Sequence, residues 1–222
     1  MSLVGRVYQR LVAPPPPYRL DPRLDRLVER ICRDLDEGQR ALNLGCGGTR
    51  YGPRVVNLDL APMPAVDVCG NGEGLPFRDA AFQGVVARGV LEHVRSAEAV
   101  MAEVRRVLRP GGFLYVEVPF MQPLHLSPED HRRFTLPGLR GFLGGFEEVE
   151  TGVQVGPGSA LAWVLREALA SVASGGSPWL YRKLLTLLGW TTFWIRYLDV
   201  LTVPAPHVPN VASAFYYLGR KK

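Results

Sequence analysis

The sequence predicts an α/β fold with an open, mostly parallel sheet and helices on both of its faces. Two observations lead to this prediction. Short apolar runs typical of buried strands alternate along the chain with segments of helical periodicity. The glycine-rich turn at residues 45–48 follows the first apolar run, and the acidic residue Asp59 ends the second, an arrangement typical of nucleotide-binding sheets.

The apolar runs predict seven strands, at residues 41–44, 55–58, 66–69, 83–87, 113–118, 146–155 and 212–218. Helical spacing and capping signals predict helices at residues 22–35, 97–108, 135–144 and 159–173, and an apolar segment follows at residues 179–201. Ser96 is the expected N-cap of the second helix, which Pro110 and the two following glycines should end. The connectors between the first three strands are short, so crossover helices should be reduced there.

The glycine turn and the acidic strand end suit a nucleoside cofactor. Gly45 and Gly47 can take positive φ angles and carry no Cβ, so their backbone can approach a ligand closely. Asp59 follows at the tip of the next strand, where its carboxylate can accept hydrogen bonds from a ribose diol. A tight structural turn is the alternative interpretation of the glycines alone.

The motifs LNLGCGG, VVNLDL, GNGEGLPFRDAAFQGVVARGVLEHV and VLRPGGFLYVEVP occur in this order. Over about residues 40–155 the chain resembles the class I S-adenosylmethionine-dependent methyltransferases, and more narrowly their type 11 methyltransferase-domain group. The resemblance implies a Rossmann-like fold with an antiparallel last strand, and S-adenosylmethionine as cofactor. The cofactor-binding residues that it implies are Gly45, Cys46, Gly47, Asp59, Leu60, Asn71, Gly72 and Arg88. The chain departs from the family pattern at Asn43, Thr49 and Asn71, which predicts altered affinity rather than lost binding.

Candidate catalytic residues lie in the segment PFMQPLHLSPEDHRRFT, after the fifth strand. It resembles a pattern of a methyltransferase subgroup often found near polysaccharide and glycan genes, which assigns His125, Asp130 and Arg133 to the site. A base is needed only if the methyl acceptor is a hydroxyl or an acidic carbon. Alternatively, Asp130 and Arg133 form an ion pair that fixes the loop. His93, after the fourth strand, is interpreted as an orienting residue, and no ligand spacing predicts a metal site.

The charge is concentrated in the last third of the chain. Residues 1–150 carry equal numbers of basic and acidic side chains, whereas residues 151–222 carry seven basic and two acidic ones and all four tryptophans. We expect an N-terminal arm and helix at residues 1–39, with Pro14–Pro17 as an extended spacer or a packed arm. A methyltransferase domain should follow at residues 40–222, with a helical insertion at about 156–209. The insertion is either a cap over the active site or, through about residues 179–201, a membrane-surface element.

These observations predict S-adenosylmethionine-dependent methyl transfer to a small-molecule or glycan acceptor, preferably at a hydroxyl oxygen. The alternatives are methylation of a quinone or secondary metabolite, and a non-catalytic nucleoside-binding scaffold. Partners are therefore expected to be small-molecule, glycan or lipid-linked substrates. Nucleic-acid binding is not expected, because the basic residues are sparse and interrupted by apolar runs. Three unpaired cysteines and no opening secretory segment predict a cytoplasmic protein, free or peripheral to the membrane.

Overall fold

A computed structural model describes residues 13–16, 18, 21–126, 129–202 and 205–222 of the chain. Residues 1–12, 17, 19 and 20 of the predicted arm lie outside the described residues. The chain divides into two units. The sheet unit comprises Asp21–Phe120, Leu124–Gln154 and Ala214–Lys222. The helical unit comprises Met121–Pro123 and Val155–Ser213, together with the described residues before Asp21.

The sheet unit contains seven strands in the order β3-β2-β1-β4-β5-β7-β6. Their bounds are β1 Ala41–Leu44, β2 Val55–Asp59, β3 Val68–Cys69, β4 Phe82–Arg88, β5 Leu108–Pro119, β6 Phe146–Val155 and β7 Ala214–Lys221. The pairs among β1 to β5 are parallel, and β7 runs antiparallel to β5. The mostly parallel seven-stranded sheet is therefore confirmed, although β5 starts five residues earlier than predicted.

Helices α1 (Pro22–Arg33), α2 (Ala97–Val107) and α3 (Leu136–Phe142) flank the sheet. Helix α1 buries Leu24, Val28 and Cys32 in a core cluster shared with residues of β1, β4 and β7. The predicted cap of α2 is confirmed, because the Ser96 hydroxyl accepts a hydrogen bond of 3.1 Å from the backbone N–H of Ala99. The N-terminus of α2 is therefore fixed by local sequence.

The connection between β1 and β2 contains no helix, and all of residues 45–54 are described. Instead, a short glycine turn leads from the end of β1, and the backbone N–H of Cys46 donates to the carbonyl of Leu58 at 3.0 Å. The predicted reduction of the crossover is thus observed. Because no helix starts here, the carboxyl ends of β1 and β2 stay open to a ligand.

The helical unit begins with α4 (Pro157–Ala173) and α5 (Pro178–Thr192). It continues through a 3₁₀ helix at Phe193–Leu198, α6 at Asp199–Thr202 and a second 3₁₀ helix at Val208–Val211. The buried carboxylate of Asp199 accepts from the backbone N–H of Gly158 at 2.7 Å, which caps α4. Among the described helices, none combines the length and apolar character needed to cross a membrane.

The apolar segment at residues 179–201, which was interpreted as helical, is not one continuous α-helix. The α-helical part ends at Thr192, and a 3₁₀ helix replaces it from Phe193. The sequence at the break is a run of β-branched and aromatic residues, whose side chains lose rotamer freedom in an α-helix. The described part of the proline arm packs on this unit, since the carbonyl of Pro16 accepts a hydrogen bond of 2.6 Å from Arg196.

Candidate active site

The sheet unit has a cavity of about 590 Å³ beyond the carboxyl ends of its central parallel strands. This volume is within the range of small-molecule sites. The residues that line the cavity come from the strand ends and from the loops that follow them. They are Leu44, Gly45, Gly47, Leu58, Asp59, Leu60, Ala61, Met63, Gly70, Gly72, Gly89, Val90, His93, Val94 and His125.

The glycine turn forms one wall of this cavity. Gly45 has a φ of +64°, and a Cβ added to it would lie 2.5 Å from a methyl carbon of Val90, so only glycine fits. Gly47 has a φ of +52°, and its backbone N–H donates a 2.8 Å hydrogen bond to Oδ2 of Asp59. The turn and the acidic strand end are therefore bonded to each other.

Asp59 presents its carboxylate to the cavity in a fixed orientation. In addition to the bond from Gly47, its Oδ1 accepts a hydrogen bond of 3.2 Å from the backbone N–H of Ala61. An ionised carboxylate has about four lone-pair sites, so each oxygen retains acceptor capacity for a ligand hydroxyl. Among the described residues, apart from the chain neighbours of Gly47, no heavy atom lies within 4 Å of the position that a Cβ would take at Gly47. Two carboxylate oxygens that can still accept hydrogen bonds, beside open space, suit the two hydroxyls of a nucleoside ribose.

Three residues predicted to bind the cofactor are not among those that line the cavity. Cys46 is buried, and burial raises the pKa of its thiol. Asn71 uses its side-chain oxygen to accept from the backbone N–H of Glu73 at 3.0 Å. Arg88 ends β4 beside Glu117 of β5. The other predicted binding residues, Gly45, Gly47, Asp59, Leu60 and Gly72, lie together in the cavity wall.

Arg88 belongs to a buried polar network. Its Nε donates to Glu117 at 2.8 Å, and a second guanidinium nitrogen lies 2.8 Å from Asp25 of α1. Glu117 also accepts hydrogen bonds from the Tyr115 hydroxyl at 2.7 Å and from Gln154 at 3.0 Å. Burial raises the pKa of Glu117, an effect that the charge of Arg88 opposes. The network therefore joins α1, β4, β5 and β6.

Two histidines face each other at the cavity. The ring centroids of His93 and His125 are 5.3 Å apart and the rings are nearly perpendicular. Nδ1 of His93 contacts the carbonyl oxygen of Glu129, which can only accept, so that nitrogen carries the proton in the neutral ring. Nε2 of His93 is then left as the basic nitrogen, 3.8 Å from a carboxylate oxygen of Glu92.

The environment of His125 favours its neutral form. Burial and the neighbouring His93 and Arg133 lower the pKa of the imidazole, and the nearby charge of Asp130 only partly offsets them. A histidine that is neutral at pH 7 is able to accept a proton. The geometry thus supplies a candidate base at the residue that the sequence singled out.

Asp130 and Arg133 are joined in an ion pair, and the side chain of Asp130 is almost completely buried. Oδ2 of Asp130 also accepts a hydrogen bond of 2.8 Å from the backbone N–H of His125. Burial alone would raise the pKa of Asp130, but the hydrogen bonds from Arg133 and His125 outweigh it and lower the pKa. This pair therefore shapes the loop that carries His125.

Glu92 was not among the sequence candidates, although it directly precedes His93. It is 4% exposed, and within the described part of the chain its Oε2 has no hydrogen-bond partner. Burial raises its pKa to about 7, against the opposing charges of His93 and Arg133. The sequence signal that could have identified both Glu92 and His93 was the position of their motif, LEHV, shortly after the end of β4. Among the described residues, no group of three His, Cys, Asp or Glu side chains is suited to hold a metal ion.

Residues 42–116 match the family model described as a methyltransferase domain. The ubiquinone biosynthesis O-methyltransferase of Cereibacter sphaeroides is 28% identical over 130 residues, which cover 45% of this chain and 53% of that protein. The 24-methylenesterol C-methyltransferase 2 of Arabidopsis thaliana is 30% identical over 168 residues, covering 59% of this chain and 45% of that protein. The chain thus spans about half the length of these curated relatives.

A solved structure extends the likeness over most of the chain. The phosphoethanolamine N-methyltransferase 2 of Haemonchus contortus, in complex with phosphomonomethylethanolamine and S-adenosylhomocysteine, aligns with a TM-score of 0.57 and 16% identity. The alignment covers 90% of this chain and 52% of that chain. At this identity the likeness concerns the fold. The segment that matches the methyltransferase-domain family, residues 42–116, contains the glycine turn and Asp59.

Proposed function

We propose that this chain transfers a methyl group from S-adenosylmethionine to a hydroxyl oxygen of a small-molecule or glycan acceptor. One observation carries the proposal. A fixed carboxylate, Asp59, and a pair of facing imidazoles, His93 and His125, line the same cavity. The carboxylate suits the ribose of the cofactor, and the imidazoles suit an acceptor that must lose a proton.

Bound S-adenosylmethionine supplies a methyl group on a positively charged sulfur, which is already reactive toward a nucleophile. Catalysis then depends mainly on in-line positioning and on exclusion of water. In this proposal Asp59 and the glycine turn orient the cofactor. Gly72 would offer its backbone N–H to the adenine ring.

The proton of the acceptor hydroxyl goes to His125 in this proposal. If bound S-adenosylmethionine supplies the methyl group, Nε2 or Nδ1 of the neutral His125 ring would take the proton that the acceptor hydroxyl loses. The ion pair of Asp130 with Arg133 holds the loop that carries His125. His93, beside Glu92, would orient the acceptor.

The preferred acceptor is a hydroxyl on a sugar or a lipid-linked glycan intermediate. The loop pattern around His125, Asp130 and Arg133 supports this choice, because it resembles a subgroup found near glycan genes. A lipid-linked acceptor lies at a membrane surface. The proposal therefore includes a cytoplasmic chain with peripheral membrane contact through about residues 179–201.

Methylation of a quinone or a related apolar metabolite is the second candidate. Leu60 is 69% exposed and Met63 is 37% exposed, and both line the cavity, which offers apolar surface to an acceptor ring. The similarity to an O-methyltransferase of ubiquinone biosynthesis points in the same direction. A nucleoside-binding scaffold without turnover is the remaining alternative.

Isothermal titration with S-adenosylmethionine and with S-adenosylhomocysteine tests the cofactor first. We expect micromolar dissociation constants for both, and absence of binding to either would contradict the proposal. Transfer of a labelled methyl group to glycans, lipid-linked sugars and quinones then distinguishes the acceptor classes. Binding of the cofactor without transfer to any acceptor would favour the scaffold.

The role of His125 is tested by His125→Asn. Loss of a general base lowers kcat by about 10²- to 10⁴-fold. Because His125 is assigned to the acceptor side, the affinity for S-adenosylhomocysteine should stay within about twofold. His207→Asn, at an exposed histidine of the helical unit, is the matched control and should change neither value. An unchanged kcat for His125→Asn would remove His125 from the mechanism.

A further inference from the structure

We propose that one face of the helical unit docks on the surface of an anionic lipid bilayer. The face is formed by Trp179, Lys183, Leu187 and Trp190 of α5 and by Trp194, which follows it, and is called the tryptophan face. This proposal deepens the membrane contact included in the proposed function and names the surface that makes it. It rests on the proposed function in one respect, since a lipid-linked acceptor would lie at the same membrane.

The spacing of these residues follows the α-helix. In α5 the positions 179, 183, 187 and 190 recur every three or four residues, so their side chains share one face. The exposed fractions are 63% for Trp179, 61% for Leu187, 46% for Trp190 and 58% for Trp194. Large apolar side chains that share an exposed face indicate an interaction site rather than scattered surface residues.

The opposite side of α5 is occupied within the helical unit. Gly189 is buried, and a Cβ added there would lie 2.4 Å from Cγ of Pro14 in the proline arm. The hydroxyl of Tyr181 bonds to the carboxylate of Glu167 on α4. The inner side of α5 therefore packs within the helical unit.

Charge selects an anionic bilayer as the occupant. Residues 178–198 contain Arg182, Lys183 and Arg196 and no acidic residue. The Lys183 ammonium lies 6.0 Å from the centroid of the Trp179 ring, which places a cation beside an indole at the edge of the face. Indole rings prefer the headgroup level of a bilayer, where adjacent cations meet anionic lipid.

The polar atoms of the face are compatible with shallow burial. The indole N–H of Trp194 donates to the carbonyl of Thr191 at 2.6 Å, so insertion of this ring breaks no hydrogen bond with water. Helix α5 has 15 residues, too few to span a bilayer at about 1.5 Å per residue. The helix should therefore lie in the plane of the interface.

Co-sedimentation of the full chain with phosphatidylcholine vesicles, with and without phosphatidylserine, tests the proposal. We expect binding that requires phosphatidylserine and that falls when salt shortens the Debye length. Replacement of Trp179, Trp190 and Trp194 by alanine should weaken binding at least tenfold. Lys183→Glu should weaken binding to the anionic vesicles, with a fold that circular dichroism shows to be intact.

Val172→Ala is the matched control, because Val172 of α4 is 84% exposed and apolar but lies outside the tryptophan face. It should leave vesicle binding unchanged. No binding to either vesicle, equal binding to both, or equal losses from Val172→Ala and the tryptophan variant would overturn the proposal. So would a dimer in sedimentation that dissociates when the tryptophans are replaced and binds no vesicles. Titration with S-adenosylhomocysteine without vesicles reports separately on the proposed function.

Discussion

Replacement of Asp59 by asparagine tests the nucleoside site at its most specific residue. The carboxylate accepts from the backbone N–H of Gly47 at 2.8 Å on one oxygen and from that of Ala61 at 3.2 Å on the other. Asparagine keeps one acceptor oxygen and turns the other position into an N–H donor. That donor would face either a backbone N–H or the hydroxyl of a ligand. The variant should therefore lose an acceptor and the charge that strengthens it.

The magnitude follows from the type of bond. A hydrogen bond to a charged group contributes about 1.5–3 kcal/mol, more than a neutral pair does. Since about 1.4 kcal/mol is a tenfold change in affinity, the dissociation constant should rise about 10- to 150-fold. Isothermal titration with S-adenosylmethionine, and separately with S-adenosylhomocysteine, measures the change. Both ligands carry the same ribose, so they should lose affinity equally.

Asp67→Asn is the control for a general effect on the fold. Asp67 accepts from the backbone N–H of Asn57 at 2.9 Å and from Arg50 at 2.6 Å, but it does not line the cavity. Its replacement should lower the melting temperature and leave the dissociation constant within about twofold. If Asp59→Asn binds as tightly as the wild type, or if both variants lose affinity equally, the assignment of Asp59 to the ribose is wrong.

Further expected outcomes concern the stability of the fold around the site. Burial raises the pKa of Glu92 from 4.5 to about 7, so the stabilisation from its neutral form is complete below about pH 4.5 and is lost as the pH rises through about 7. The wild type should lose about 3 kcal/mol of unfolding free energy between low pH and pH values above 7, and Glu92→Gln should remove this loss. Urea unfolding at several pH values measures both. Gly45→Ala should cost about 1–3 kcal/mol in the same assay because of the clash with Val90, and should weaken cofactor binding. Arg88→Met should cost about 3–5 kcal/mol by leaving Glu117 buried without its cation, and an additional loss of cofactor affinity would support its predicted binding role.

The sheet could be predicted from the sequence because its strands are short apolar runs with turn residues between them. The limits of the prediction appear where packing overrides local pattern. Strand β5 begins at Leu108, before Pro110 and the two glycines that were expected to precede it. The apolar segment after Trp179 contains Gly189, but α5 continues past this glycine to Thr192, so the change to a 3₁₀ helix at Phe193 had no strong signal.

The part of the cavity wall around the glycine turn was accessible to sequence reasoning, and the part around the two histidines was less so. Gly47 and Asp59 are adjacent in space because neighbouring parallel strands end at the same edge, which spacing alone predicts. His93 and His125 are far apart in sequence. They meet because the loop after β5 folds back, where the backbone N–H of His131 donates to the carbonyl of Glu92 at 2.7 Å. No periodicity encodes such a contact.

The departures from the family pattern lose force as an argument for a scaffold once their contacts are known. Asn43 is buried beside its strand partner Asn57 and donates to that side chain at 3.1 Å and to the carbonyl of Thr49 at 3.0 Å. It therefore holds the glycine turn from behind and is not among the residues that line the cavity. A carboxylate at this position could not donate both bonds, because an ionised carboxylate only accepts. The amide of Asn43 pairs with the amide of Asn57, and the three cavity-lining residues Gly45, Gly47 and Asp59 are left intact.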